Sequence, residues 1–136
     1  MAEGLARDWL RQQGLDITWS VGSAGVFAVD GSEPSPEVAA LLASRGISEV
    51  GQSVSLTSEM LQAASVVFAM TKAHAEAAQR ILGDAPGPAI QTLDPAGDVP
   101  DPIGHGFGVY ADLADRLDAV LDQVLKEVTH ANNDLG

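Results

Sequence analysis

Three side chains that could move protons, Asp98, Asp101 and His105, fall within one stretch, residues 94–108, that is dense in Gly, Pro and Asp. A carboxylic acid or an imidazole held in such a loop is a candidate general acid or base. The local sequence also has a plainer use for these residues, because Asp-Pro initiates turns in Pro/Gly-rich loops. The alternating Gly104, Gly106 and Gly108 follow a loop and not a strand, so they read as a flexible turn and not as a dinucleotide-binding one. His74, His105 and His130 are too widely spaced to form a pair on one helical face, and with no thiol to complete a zinc site they read as surface histidines. Ser23 and Thr71 have no Ser/His/Asp signature around them; strand ends and helix caps account for them. The chain contains no cysteine, which removes disulfides, thiolate metal sites and thiol catalysis from what these residues can do alone. They assemble no complete catalytic constellation, and no metal or cofactor is expected.

The elements that must position these groups follow from the periodicity. Ala2, Leu5, Ala6, Trp9 and Leu10 recur at helical spacing and Gly14 supplies a left-handed stop, so the chain opens on an amphipathic helix. Ile17, Trp19 and Val21 alternate with Asp16, Thr18 and Ser20, which predicts a strand. After a Gly-rich loop over residues 23–34, Ser35 caps a helix with Pro36 at its first position, Val38, Leu41 and Leu42 inward and Gly46 at its end. A short helix over 58–64 precedes the apolar run 65–70, the pattern of a strand buried on both faces of a parallel sheet. Thr71 caps a helix that runs to Leu82 and stops at Gly83. Residues 89–93 predict a third, weaker strand, and Leu113, Leu117, Val120, Val124 and Val128 lay one apolar stripe on a long last helix. This alternation implies an α/β fold, a parallel sheet with helices on its faces in three layers. No strand precedes the first helix to complete a strand-helix-strand unit, so a strand is expected to be missing from the beginning.

Composition limits the rest. A length of 136 residues fits one domain that buries roughly two thirds of its unfolded surface. With 46% hydrophobic residues but only 4% aromatic, the core must be built from Ala, Val, Leu and Ile. Seven basic against nineteen acidic residues give a formal charge of -12, a field that repels nucleic-acid phosphates and anionic lipid. Nucleic acid and membrane are therefore not expected partners. The opening residues lack a signal peptide and the longest apolar run, residues 66–70, is too short to span a bilayer, so a soluble, cytoplasmic protein is expected.

Taken in order, Met1-Ala2-Glu3 opening a helix, Ser23-Ala24-Gly25, Gly46-Ile47, Met70-Thr71 followed by His74, Asp101-Pro102 with Gly104, and Tyr110 leading into the last helix resemble the low-molecular-weight protein tyrosine phosphatase family. The likeness runs from Met1 to about Val128 and implies a phosphatase-like domain over residues 1–129, with a frayed tail over 130–136. The family places a central strand and a Cys-x5-Arg phosphate loop, then Ser-Pro, just before Met-Ala-Glu. The resemblance therefore implies a domain incomplete at its N-terminus, with the first (central) strand of a four-stranded sheet absent. It also implies a chemistry in which a thiolate attacks phosphorus, backbone N–H groups and Arg hold the phosphoryl oxygens, and an aspartic acid protonates the leaving oxygen. By resemblance Asp101 is the one catalytic residue that carries over, as general acid. Ile103 stands where an aromatic often follows the Asp-Pro pair.

Three readings follow. The first is the body of a phosphotyrosine-type phosphatase, acting on a phosphorylated protein or small phosphomonoester once the phosphate loop is restored, with DNA upstream of Met1 encoding the strand and Cys-x5-Arg-Ser-Pro in frame. The second is a non-catalytic pseudophosphatase or interaction module. The third, an arsenate reductase on the same fold, is disfavoured because its resolving cysteines have no counterpart here. An unpaired sheet edge left by the missing strand also favours oligomers formed by strand exchange.

Overall fold

Why the chain folds as it does is clearest at its helix ends. The computed structural model describes residues 1–25, 36–47, 54–99 and 107–135, which carry seven elements: α1 (Ala2–Gln12), α2 (Pro36–Ser44), α3 (Ser58–Ala63), β1 (Val67–Ala69), α4 (Lys72–Leu82), β2 (Ile90–Thr92) and α5 (Phe107–Leu135). They group into two compact units, α1, α2 and α5 in one and α3, β1, α4 and β2 in the other.

In the helical unit, α1 buries Gly4, Leu5, Ala6 and Leu10 on one face and ends before Gly14, whose φ of 71° is the left-handed value that glycine adopts without steric cost. α2 buries Leu41 and Leu42 and closes in a Schellman pattern. Gly46 takes φ 77°, the Ile47 N–H donates to the Leu42 carbonyl at 2.8 Å, and the Ile47 side chain folds back into the core. Gly4 lets α1 approach this corner, because a Cβ there would lie 3.2 Å from Leu42 Cδ1. α5 covers both helices with Tyr110, Ala114, Leu117, Leu121 and Val124, all buried at alternating three- and four-residue spacing. This stripe is rotated from the sequence expectation: Leu117 and Val124 belong to it, whereas Leu113, Val120 and Val128 sit half-buried on its flank. The helix runs on past His130 to Leu135. Leu42 is 2% exposed, so Leu42→Ala is expected to cost about 2–5 kcal/mol, the range for a buried leucine whose site cannot collapse. Urea unfolding followed by circular dichroism measures it.

The predicted strand at Ile17, Trp19 and Val21 is not formed. Residues 16–18 are a turn, with Leu15 N–H bonded to the Leu10 carbonyl and Thr18 and Trp19 N–H both bonded to the Leu15 carbonyl. Local turns take the backbone donors that a ladder would need, and Ile17 is left 96% exposed. Extended pairing begins later, at a parallel bridge between Gly25 and Ser55.

In the second unit, β1 and β2 pair in parallel, Val67 opposite Ile90 and Ala69 opposite Thr92, with α4 as the crossover between them. Thr71 caps α4, its hydroxyl accepting from the His74 N–H at 3.1 Å, and Gly83 at φ 61° ends it. α4 turns Ala77, Ala78 and Leu82 into the core. Thr57 caps α3 in the same manner.

Candidate active site

Parallel strands deliver their carboxyl ends to one edge, and in open α/β sheets ligands bind beyond that edge. Here it is formed by Met70 and Thr71 after β1 and by Leu93 and Asp94 after β2. The loop that follows β2 is tied down there residue by residue. Leu93 N–H donates to the Ala69 carbonyl at 2.8 Å, and Val99 N–H donates to the Met70 carbonyl at 2.8 Å. Asp94 is buried and its Oδ1 accepts from the Ala96 N–H at 2.9 Å, which closes an Asx turn. Asp98 Oδ1 accepts from the Lys72 N–H at 2.9 Å, satisfying one of the open donors at the start of α4 and placing a negative charge at its positive end.

Asp98, a candidate from the sequence, thus has a structural task at the head of α4. Asp101 and His105, with Pro102, Ile103 and Gly104, lie outside the described residues. Val99, the last described residue before them, is buried and its N–H is bonded to the Met70 carbonyl just after β1.

Two motifs far apart in sequence meet in the helical unit. Ser23 Oγ donates to Glu3 Oε2 at 2.8 Å, while Arg7 donates to Glu3 Oε1 at 2.9 Å and to the Val21 carbonyl at 3.0 Å. Glu3 therefore fastens the segment 21–23 to the first turn of α1. In the sequence Glu3 stands out only within Met1-Ala2-Glu3. The available signal was the Glu3–Arg7 spacing of four, which pairs opposite charges on one helix face. Gly46-Ile47 and Met70-Thr71 with His74 are, respectively, the α2 corner and the α4 cap, and Tyr110 is a buried anchor of α5. The Ser23 hydroxyl is engaged by Glu3 and the Thr71 hydroxyl by the His74 N–H, and among the described residues no hydrogen bond joins either to an imidazole.

A model of the family described as low molecular weight phosphotyrosine protein phosphatase matches residues 1–134. The chain belongs to that family. This phosphatase-family chain is 30% identical over 132 residues to the protein-arginine-phosphatase of Bacillus subtilis, a match that covers 94% of this chain and 87% of the relative. Among solved structures it resembles the YwlE arginine phosphatase from Geobacillus stearothermophilus, with a TM-score of 0.84 and 28% identity over 98% of this chain and 88% of that one. It also resembles the low molecular weight protein tyrosine phosphatase from T. tengcongensis, with a TM-score of 0.81 and 31% identity over 93% of this chain and 88% of that one. The α/β fold expected from the sequence is the fold of this family. Among the described residues no helix is long and apolar enough to cross a membrane.

Proposed function

We propose that these 136 residues are the body of a low molecular weight protein phosphatase, and that on their own they do not turn over phosphomonoesters. The observation that carries this is a family match over residues 1–134 in a chain with no cysteine. The family's reaction runs through a cysteinyl-phosphate, and a serine or threonine without a base is a poor substitute for a thiolate at neutral pH. In this reading a strand and a Cys-x5-Arg loop joined ahead of Met1 supply the nucleophile and the phosphoryl cradle. The body supplies the sheet, the helices and Asp101 as general acid. The anchoring of residues 94–99 at the carboxyl edge of β1 and β2 supports that role, because it sets the starting point of the segment bearing Asp101. The substrate class is a phosphorylated protein side chain. Relatives named as arginine and as tyrosine phosphatases make phosphoarginine and phosphotyrosine the two to compare.

The test is phosphate release from p-nitrophenyl phosphate and from phosphoarginine and phosphotyrosine peptides by the purified 136-residue chain. Release at the buffer rate is expected. Turnover that follows the chain through successive purification steps and is abolished by a substitution within it would refute the proposal. The same absence of cysteine favours a second reading, a non-catalytic binding module, and the in-frame DNA upstream of Met1 separates the two. A coding strand ending in Cys-x5-Arg-Ser-Pro supports the first, an in-frame stop the second.

A further inference from the structure

Leu5, Asp8, Trp9 and Gln12 lie at positions i, i+3, i+4 and i+7 of α1 and so share one helix face. With Arg45, Ile47, Asp118 and Asp122 this face lines a solvent-open groove of about 490 Å³ within the helical unit. That volume is in the range of small-ligand and side-chain pockets, roughly 300–1,000 Å³. Its floor is apolar, Leu5 and Ile47 both being buried. One wall is the Trp9 indole, fixed in place by its N–H, which donates to Asp122 Oδ1 at 3.0 Å. Three carboxylates line it: Asp118 is paired with Arg45, which also reaches Asp115 at 3.0 Å, Asp122 is paired with Lys126 at 3.0 Å, and among the described residues no cation is bonded to Asp8. Asp122 is held below the usual carboxylate range, first by the Trp9 N–H and then by the Lys126 ammonium, and so stays charged. Asp8 is bonded to a neutral group, the Gln12 amide, at 2.7 Å, and its charge faces the groove unreduced by that partner.

We propose that this groove docks a basic segment of a partner protein, seating an arginine side chain against Trp9 and between Asp8 and Asp122. A guanidinium matches the site on three counts. Its face stacks on an indole, its donors pair with carboxylates, and its methylene stem covers an apolar floor. The net charge of -12 adds long-range attraction for such a segment, but only the groove supplies the aromatic wall and the apolar floor. None of these residues takes part in the chemistry proposed above, so the site stands or falls independently of it.

The probe is the peptide acetyl-Gly-Arg-Ala-Arg-Gly-amide, titrated calorimetrically into the 136-residue chain, with a citrulline-for-arginine version as neutral isostere. Saturable binding is expected, weakened at least about tenfold by citrulline and by the double substitution Asp8→Asn with Asp122→Asn. Removing the same charge through Glu59→Gln with Asp84→Asn, neither of which lines the groove, is expected to change affinity by less than roughly twofold, the size of a screened charge outside the contact. Trp9→Leu keeps the charge and removes the ring, and is expected to weaken binding severalfold. Asp8→Asn alone, at a side chain bonded only within α1, serves where the double variant does not fold. Equal losses from the two charge-removing pairs would reduce the effect to general attraction and overturn the proposal, as would binding of the citrulline peptide at full strength or no heat at about 1 mM peptide, where even a weak complex forms.

Discussion

Asp101→Asn, made in the chain joined ahead of Met1 to a strand ending in Cys-x5-Arg-Ser-Pro, is expected to slow hydrolysis of an alkyl phosphate by about 10²–10⁴-fold, the usual contribution of a positioned general acid. An alkoxide is a poor leaving group, so without a proton the bond to phosphorus breaks slowly. The carboxyl must be protonated while the attacking sulfur is ionised, and the carboxamide cannot reproduce that division. An activated aryl phosphate leaves as a stable phenolate and is expected to lose much less. Single-turnover measurements across leaving groups of different acidity separate formation of the cysteinyl-phosphate from its hydrolysis. Equal small losses for all of them would leave Asp101 as a turn residue before Pro102, the role that its local sequence alone suggests.

The larger effect is expected from the joining itself. The 136-residue chain should release phosphate at the buffer rate, and the joined chain at about 1 s⁻¹ or faster, the lower range of ordinary enzymes. The gain has three sources that arrive together: a nucleophile, a guanidinium and a ring of backbone N–H donors for the phosphoryl oxygens. A joined chain carrying Ser in place of the segment's Cys keeps the cradle but loses the thiolate, and should fall back close to background. If the joined chain folds, as judged by a cooperative urea transition, and yet remains inactive, the body does not complete the site that the family's loop requires.

Local chemistry made parts of this fold legible. A Thr that caps a helix, as Thr71 does through the His74 N–H, and a Gly that stops one, as Gly46 and Gly83 do with φ of 77° and 61°, act within four or five residues, so their signals are written in consecutive positions. The β1 and β2 strands were readable for the same reason, as apolar runs bounded by turn residues. The failed strand shows the limit. Three apolar residues alternating with three polar ones satisfy a period of two, but a strand also needs a neighbour, and a neighbour is a non-local fact. At residues 16–18 the backbone turned on Leu10 and Leu15 instead, and the pairing fell to Gly25 and Ser55, thirty positions apart and without a periodic signature. The α5 stripe is displaced because Tyr110 and Ala114, which a count of large aliphatic residues passes over, carry part of it, and because Leu121 and not Val120 is buried.

The site was legible to a smaller degree. Asp98 was visible as a carboxylate in a polar loop, but its bond to the Lys72 N–H spans 26 positions and decides that it caps α4. The Ser23–Glu3 bond spans 20 positions and links two motifs that the sequence could only set side by side. Asp101 was singled out by resemblance alone, since nothing in its neighbours distinguishes an acid that gives up a proton from one that starts a turn.

In the proposed reading the nucleophile is a thiol carried by a segment joined ahead of Met1, and these 136 residues supply the rest of the fold. Intact-mass measurement after brief mixing with an activated aryl phosphate and acid quenching tests it most directly. The joined chain bearing Asp101→Asn should gain the mass of one phosphoryl group, localised by fragmentation to the segment's cysteine, while the 136-residue chain should gain none. A phosphoryl group found on any residue from Met1 onward in the 136-residue chain would contradict the account.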